Sequence, residues 1–418
     1  MPFTNGERLP RSIRAISAGR GISFLGDEVA LLAMAFRAKD ELGHFGVAAI
    51  FIAGAVPMIA LAPFAGLLVD RVRTRPILVT VTLVQAALCV ALAYSSSSLL
   101  IPLIALLACG TATAGPAWQA LVPTLVTESQ LPSAMGLLQS TTALAGIAGP
   151  FVGGFLVATS GFHVPLLIDA GSFAVLAAIP IVLRVDRVPA GASNGRVSIS
   201  EAFAGVRLIA ESPLLRALLV LVTFFVLALS AINVVEIFFS TEELHQGPMG
   251  YGLLGVSFGA GLFAMAALSG RIARRFGRPE RLLVIGCAGL CVGIGAFGAS
   301  TQLWQACVLL FFTGAANALL SVNAAVLMTA HSTDAVRGRA FSALQGTVSA
   351  AQIAAMALGG LLVVAFAPRT IIVACAVAAA VALALTVVPV LRASATPVPS
   401  DGVGNRPRGE LGTDPVAA

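Results

Sequence analysis

Runs of about twenty apolar residues, each long enough to cross a bilayer, follow one another along this chain with only short charged loops between them. No water-soluble core could absorb them all. Apolar residues make up 58% of the 418 and charged residues 11%, against roughly a quarter charged in ordinary globular proteins. Twelve spans are read, at about 14–36, 46–69, 76–96, 98–119, 134–158, 164–184, 213–239, 250–272, 281–300, 302–328, 340–366 and 369–391. The fold class implied is an all-α membrane protein, with the lipid bilayer as its surroundings. An even number of spans puts both termini on one side.

The basic residues select that side. With the amino terminus inside, the inner loops and tails hold 21 of the 25 Lys and Arg; the outer loops hold only Arg37, Lys39 and Arg369, and Arg20 lies within span one. Anionic leaflets and the membrane potential retain cations, so this bias sets the orientation with both termini cytoplasmic. The formal charge of +6 is thus a mark of topology, and no nucleic-acid partner is inferred from it. The first apolar run is followed by no small-residue cleavage site and is read as a retained span.

The loop Gly66-Leu67-Leu68-Val69-Asp70-Arg71-Val72-Arg73-Thr74-Arg75 has a weaker copy 204 positions later, Gly270-Arg271-Ile272-Ala273-Arg274-Arg275-Phe276-Gly277-Arg278. A loop repeated at half-length between apolar spans points to duplication, with two six-span halves able to move against each other. The expected organisation is a cytoplasmic tail (1–13), an amino-terminal half (14–184), a linker (185–212), a carboxy-terminal half (213–392) and a second tail (393–418). Within the linker, Ser198 and Glu201 form a capping box ahead of an amphipathic stretch that should lie along the membrane surface. The six cysteines fall inside spans. Cys287 and Cys291 share a helix face, but two further ligands for a metal are missing; no cofactor or metal is inferred.

Several stretches match known patterns. Residues 66–75 resemble the loop motif of the major facilitator superfamily, G-x-L-a-D-r-x-G-r-k, with Arg73 and Thr74 departing from it. In span five, Gly146-Ile147-Ala148-Gly149-Pro150-Phe151-Val152-Gly153-Gly154 resembles the g-x-x-x-G-P-x-x-G-G motif of exporters. Gln119–Pro123, Ile168–Phe173 and Glu201–Arg207 are similar to the third drug:proton antiporter family, which includes macrolide-efflux and siderophore-export proteins. The resemblance implies two six-helix halves related by a pseudo-two-fold axis, working by alternating access. It also implies a gating role for Gly66, Asp70, Arg71 and Arg75, with Asp70 meeting the start of span eleven near Gly338 and Arg339. The alternative for Asp70 is neutralising its arginine neighbours.

Charge within spans narrows the search. An acid at the middle of a span costs about 2.5–3.5 kcal/mol unless it faces water or a partner. Asp27 and Glu28 sit mid-span in span one, and Arg20, Ser23 and Asp27 form one stripe. Glu236 in span seven has Asn233 and Ser240 on its face. Burial and hydration favour opposite protonation states of a carboxyl, so alternating exposure of Asp27, Glu28 or Glu236 would carry protons. The alternative is static pairing, such as Asp27 with Arg20. Asp169, close to the outer end of span six, is read as structural, bonding local backbone. Asn317 in span ten, with Gln345 and Gln352 in span eleven, either line the cavity or glue helices together; Gln85 and Gln139 are similar cases.

Small residues at Gly146, Gly149, Gly153 and Gly154 let helices approach closely, and Pro150 bends the helix. These features lead to an expected proton-coupled exporter of small hydrophobic compounds, acting as a monomer in the inner membrane of a bacterial cell. An uptake permease of the same fold is the first alternative. A membrane sensor or embedded enzyme is the second, though no hydrolase, metalloprotease or phosphate-loop motif is present.

Overall fold

A computed structural model describes residues 9–187, 213–330 and 334–394. Among these residues there are eleven α-helices: α1 (Arg11–Arg71), α2 (Thr74–Tyr94), α3 (Ser97–Leu121), α4 (Leu131–Ser160), α5 (His163–Val182), α6 (Pro213–Phe238), α7 (Pro248–Phe276), α8 (Pro279–Ala299), α9 (Leu303–Ala330), α10 (Asp334–Ala365) and α11 (Pro368–Ser394). No strand occurs among the described residues. Proline opens α7, α8 and α11, where its missing N–H costs nothing.

The first helix differs from the sequence reading. Its 61 residues run from Arg11 to Arg71, about 90 Å if straight, three times the hydrocarbon thickness. The outer loop expected between spans one and two is helical up to Leu42, and the one non-helical residue inside α1 is Gly43, at φ 67° and ψ −157°. A glycine takes that conformation at no steric cost. So α1 is a hairpin of two limbs, spans one and two, and each later helix αn holds span n+1. Ten helices among the described residues are long and apolar enough to cross a membrane with α1 counted once, and α10 adds the apolar stretch Ala350–Ala365.

The halves meet along two lines, α4 against α7 and α1 against α10. In span numbers these are five with eight and two with eleven, so the pseudo-two-fold axis turns one line into the other. Apolar packing follows the same plan. One buried cluster joins both halves on the face away from the termini, including Val47 and Ile50 from one and Ile237, Phe238 and Ile371 from the other. Towards the termini the packing divides. Ile13, Ile16 and Leu78 belong to a cluster confined to the amino-terminal half, and Leu221, Phe225 and Leu283 to one confined to the other. Among the described residues, one apolar cluster thus spans both halves at the far face, and each half has a cluster of its own towards the terminal face.

Of the expected linker, residues 188–212 lie outside the described residues, and with them the capping box. Residues 185–187 are tied to the charged loop: Thr74 N–H donates to Arg187 O (3.2 Å) and Arg75 N–H to an Asp186 carboxylate oxygen (3.0 Å).

Candidate functional site

The first limb of α1 is gripped on two sides through glycine. A Cβ at Gly26 would lie 2.7 Å from Ser172 Oγ in α5, and one at Gly21 would lie 3.1 Å from Thr141 Cβ in α4. From α4, a Cβ at Gly146 would touch Phe24 (3.5 Å), one at Gly149 would lie 3.1 Å from Glu28 Cγ, and one at Gly153 would lie 3.1 Å from Val29 Cα. Only residues without a side chain permit such approach. Three of the exporter-motif glycines therefore set the position of span one, and Gly149 backs directly on Glu28.

The second half of the motif reaches the opposite half. A Cβ at Gly154 would overlap Pro248 O and lie 3.3 Å from Gly252 Cα; one at Gly252 would overlap Pro150 O. Further along α7, a Cβ at Gly255 would lie 2.8 Å from Pro150 Cβ. Span eight thus answers the motif with glycines of its own, which the sequence reading missed. It missed a closer match too. Gly359-Gly360 in α10 lies 206 positions after Gly153-Gly154. A Cβ at Gly359 would lie 2.7 Å from Ala231 O in its own half, and one at Gly360 would lie 2.8 Å from Ala48 Cα in the other half. In both dipeptides the first glycine packs at home and the second across the boundary. A search at the repeat length would have found the pair.

The mid-membrane charges gather mostly in the amino-terminal half. Arg20, Asp27 and Glu28 are half-buried, and Ser23 on the same stripe is buried. Asp27 stands in the electrostatic field of Asp169 and Glu28, which repel it, and of Arg20, which attracts it. Asp169 is fully buried. Its carboxylate accepts from Ser172 Oγ (3.1 Å) and from the Cys89 thiol (3.3 Å), and it packs on Gly26. Its partners are side chains of α5 and α2 rather than the local backbone expected for it, and it sits beside the residue preceding Asp27.

In the other half, Glu236 lies two residues before the end of α6, which continues as a π-helical turn, Phe239–Glu243. Between Ala231 and Ser240 every position is buried except Asn233 and Glu236. Ser240 is buried and its hydroxyl lacks a hydrogen-bond partner among the described residues. The Tyr251 phenol lies in the field of both Glu236 and Glu28, and its ring meets Phe36 edge-on at 5.9 Å.

The remaining candidates divide. Asn317 is half-buried and Gln352 exposed, and the side chain of Gln345 lies outside the described residues. Gln85 is buried and donates to Thr111 Oγ1 (3.0 Å), which makes it a tie between α2 and α3; Gln139 is exposed. In the charged loop Arg71 is exposed. Arg75 is tied to the end of the amino-terminal half through its backbone, and the side chains of Gly66, Asp70, Gly338 and Arg339 lie outside the described residues. Among the described residues no group of three His, Cys, Asp or Glu could hold a metal ion.

The far face carries two arginine clamps. Arg37, 5% exposed, donates from Nε to Glu41 (2.9 Å) and from its two terminal nitrogens to Leu92 O (2.7 Å) in the last turn of α2 and Ser95 O (2.5 Å) just beyond it. Its guanidinium lies 4.5 Å from the Phe162 ring centre. Arg369 repeats the pattern with Glu243 (3.3 Å), Ala299 O (3.3 Å), Ser300 O (3.0 Å) and the Phe239 ring (5.9 Å). Cations are favoured at helix C-termini, where carbonyls lack partners. Partial burial works against the Glu41 carboxylate, but hydrogen bonds from Ser97 and Arg37 outweigh it and hold this carboxyl below its ordinary range.

Comparison with known proteins then identifies the lineage. The sequence profile of the transmembrane secretion effector family matches residues 31–407. The chain belongs to this family. Proteins similar to it include an uncharacterised transporter of the major facilitator type, YfiS of Bacillus subtilis, 27% identical over 85% of this chain and 87% of that one. Macrolide efflux protein A of Streptococcus pyogenes is 27% identical over 67% of this chain and 70% of its own. The enterobactin exporter EntS of Shigella boydii is 26% identical over 58% and 56%. Among solved structures, the nucleoside transporter NupG superposes with a TM-score of 0.75 at 11% identity, covering 91% of this chain and all of that one. A peptide-transporter-family structure gives 0.73 at 12% identity, over 92% of this chain and 97% of its own. At that identity the likeness speaks for the fold alone, the two-halved major facilitator fold. The protein is a multi-pass membrane transporter with relatives that export, and not an enzyme.

Proposed function

We propose that this transporter is a proton-coupled exporter of small, largely apolar compounds. It would work as a monomer in the inner membrane of a bacterial cell, with both termini in the cytoplasm. The contact between Gly149 and Glu28 carries the reading. The motif that packs α4 against the other half also packs it against an acid of span one, so movement at the boundary alters the surroundings of that acid. A carboxyl whose hydration changes with conformation gains and loses a proton in step with it. Asp27 and Glu28 are the main coupling residues and Glu236 an additional one. Asn233 and Glu236, the two open positions in an otherwise buried stretch, would face the substrate path with Arg20, Asn317 and Gln352. Phe24 and Leu31, exposed on the first limb of α1, supply apolar surface beside the charges, which suits broad hydrophobic selection. Export is favoured over uptake by the span-five motif and by the macrolide and enterobactin exporters among the relatives.

The test uses inverted membrane vesicles loaded with a pH-sensitive dye and challenged with a panel of hydrophobic drugs. Drug-dependent proton release is expected. Silence across a broad panel, with the protein present and folded, would sink the proposal.

A further inference from the structure

The two arginine clamps do more than close helix ends. Each holds a glutamate, and next to each glutamate stands a residue aimed across the boundary between halves. In the amino-terminal half, Arg37 and Ser97 hold Glu41, at 2.9 Å and 2.7 Å. The chain then breaks at Gly43 and presents His44. In the carboxy-terminal half, Arg369 holds Glu243. The preceding residue, Glu242, lies in the same π-helical turn, closed by Leu244 N–H donating to Phe239 O at 3.0 Å. His44 and Glu242 meet: a ring nitrogen lies 3.2 Å from the Glu242 carboxylate. The imidazole also stacks on Phe238, with ring centres 4.6 Å apart and planes 17° off parallel. This side-chain hydrogen bond crosses between the halves.

We propose that His44 and Glu242 are the latch of the far face, and that Arg37 and Arg369 are its positioning residues. Resting on the reading of this chain as an alternating-access transporter, the inference says which contact must part when that face opens. Two turns of helix would otherwise fray at this point, since Gly43 ends one limb and the π-helical turn ends α6. A clamp on each side fixes both partners of the latch to the bodies of their own halves, so the bond transmits movement of whole halves. His44 lies one turn before Ala48, the residue that receives Gly360, so latch and glycine boundary share one helix face.

The latch is partly exposed, at 42% and 40% for its two side chains, so it should bias the opening equilibrium modestly. The experiment uses the full-length protein in proteoliposomes, with Ala48→Cys added as a reporter. Ala48 is 3% exposed, so a membrane-impermeant maleimide reaches a cysteine there only when the far face opens. The rate is read above that of the parent without the reporter. His44→Ala and Glu242→Ala are each expected to speed labelling about two- to five-fold, the scale of an exposed polar pair. The double variant should be no faster than the quicker single, because both remove one interaction. Arg369→Ala should raise the rate as well and erase any further effect of His44→Ala, which simple loosening of α11 would not do. Unchanged rates, additive singles, or a reporter never labelled above the parent would overturn the latch. A His44→Ala effect that persists undiminished beside Arg369→Ala would overturn the positioning role. The assay needs neither substrate nor proton gradient, so failed proton release in vesicles and a failed latch remain separate results.

Discussion

The two halves agree in their joints and disagree in their charges. Gly153-Gly154 and Gly359-Gly360 make the same pair of contacts, one at home and one across. Arg37 and Arg369 close the same corner, over the ends of spans three and nine. Yet one arginine comes from the far-face end of the first limb of α1 and stacks on Phe162, just before α5, while the other comes from the start of α11 and stacks on Phe239, just after α6. The geometry of the corner has been kept while its suppliers were exchanged. The ionisable groups have not been kept: Arg20, Asp27, Glu28 and Asp169 cluster in one half and Glu236 stands in the other. Movement between halves requires matched surfaces, so duplication holds those in register. The proposed proton chemistry would require one good site and would leave the second copy free to change.

The sharpest way to break this contrast is through the acids. Glu28→Gln is expected to abolish drug-dependent proton release in inverted vesicles, and Asp27→Asn to reduce it by at least about tenfold, the scale on which removal of a proton-transfer group acts. Glu236→Gln should leave substantial coupling. Equal loss from Glu236→Gln would mean that the charge asymmetry has no functional weight, and full coupling in all three variants would end the acid hypothesis.

The joints come next. Gly154→Val and Gly360→Val should both favour opening of the far face, since overpacking costs roughly 1–3 kcal/mol, or about five- to a hundredfold in an equilibrium. Labelling of the Ala48→Cys reporter would read this for Gly154→Val, and transport rate for both. Gly153→Val and Gly359→Val should instead lower the melting temperature in detergent with less effect on opening. If the first and second glycines of a pair behave alike, the division between home and boundary contacts is wrong.

The clamps are expected to differ in degree. Arg37→Ala leaves two carbonyls and a carboxylate short of a buried donor and should cost about 2–4 kcal/mol. Arg369→Ala, whose side chain is 34% exposed, should cost about half as much because solvent replaces part of what is lost. Thermal unfolding of the purified variants ranks them. The smallest effect should come from Cys89→Ala, which removes a weak thiol donor from Asp169; about 1 kcal/mol is expected, whereas Asp169→Leu should be far more damaging.

The helical spans and the two-halved fold were legible in the sequence because each has a one-dimensional signal: apolar run length and a repeat at half-length. What was not legible depends on distant contacts. Nothing near Asp169 announces Cys89, eighty residues earlier, and nothing near Gly149 announces Glu28. Arg37 and Lys39 read as loop residues because charge usually marks a span's end; the helix runs on because beyond the hydrocarbon region charge no longer opposes it, and only Gly43 breaks the α-geometry. Gly359-Gly360 was visible in principle. It carries no proline to draw the eye, and only comparison with Gly153-Gly154 gives it meaning.

The single-residue break at Gly43 also bears on how the protein is made. With so short a turn, the two limbs of α1 must enter the bilayer together as a helical hairpin, and in the proposed orientation the tip is carried through to the outside. That tip holds Arg37, Lys39, Asp40 and Glu41, two basic and two acidic residues whose formal charges cancel. Arg37 and Glu41, four residues apart, bond within the helix itself at 2.9 Å, so the pair can neutralise itself before any other helix exists. The residue that later clamps the finished half is therefore also the one that eases the first hairpin through the membrane.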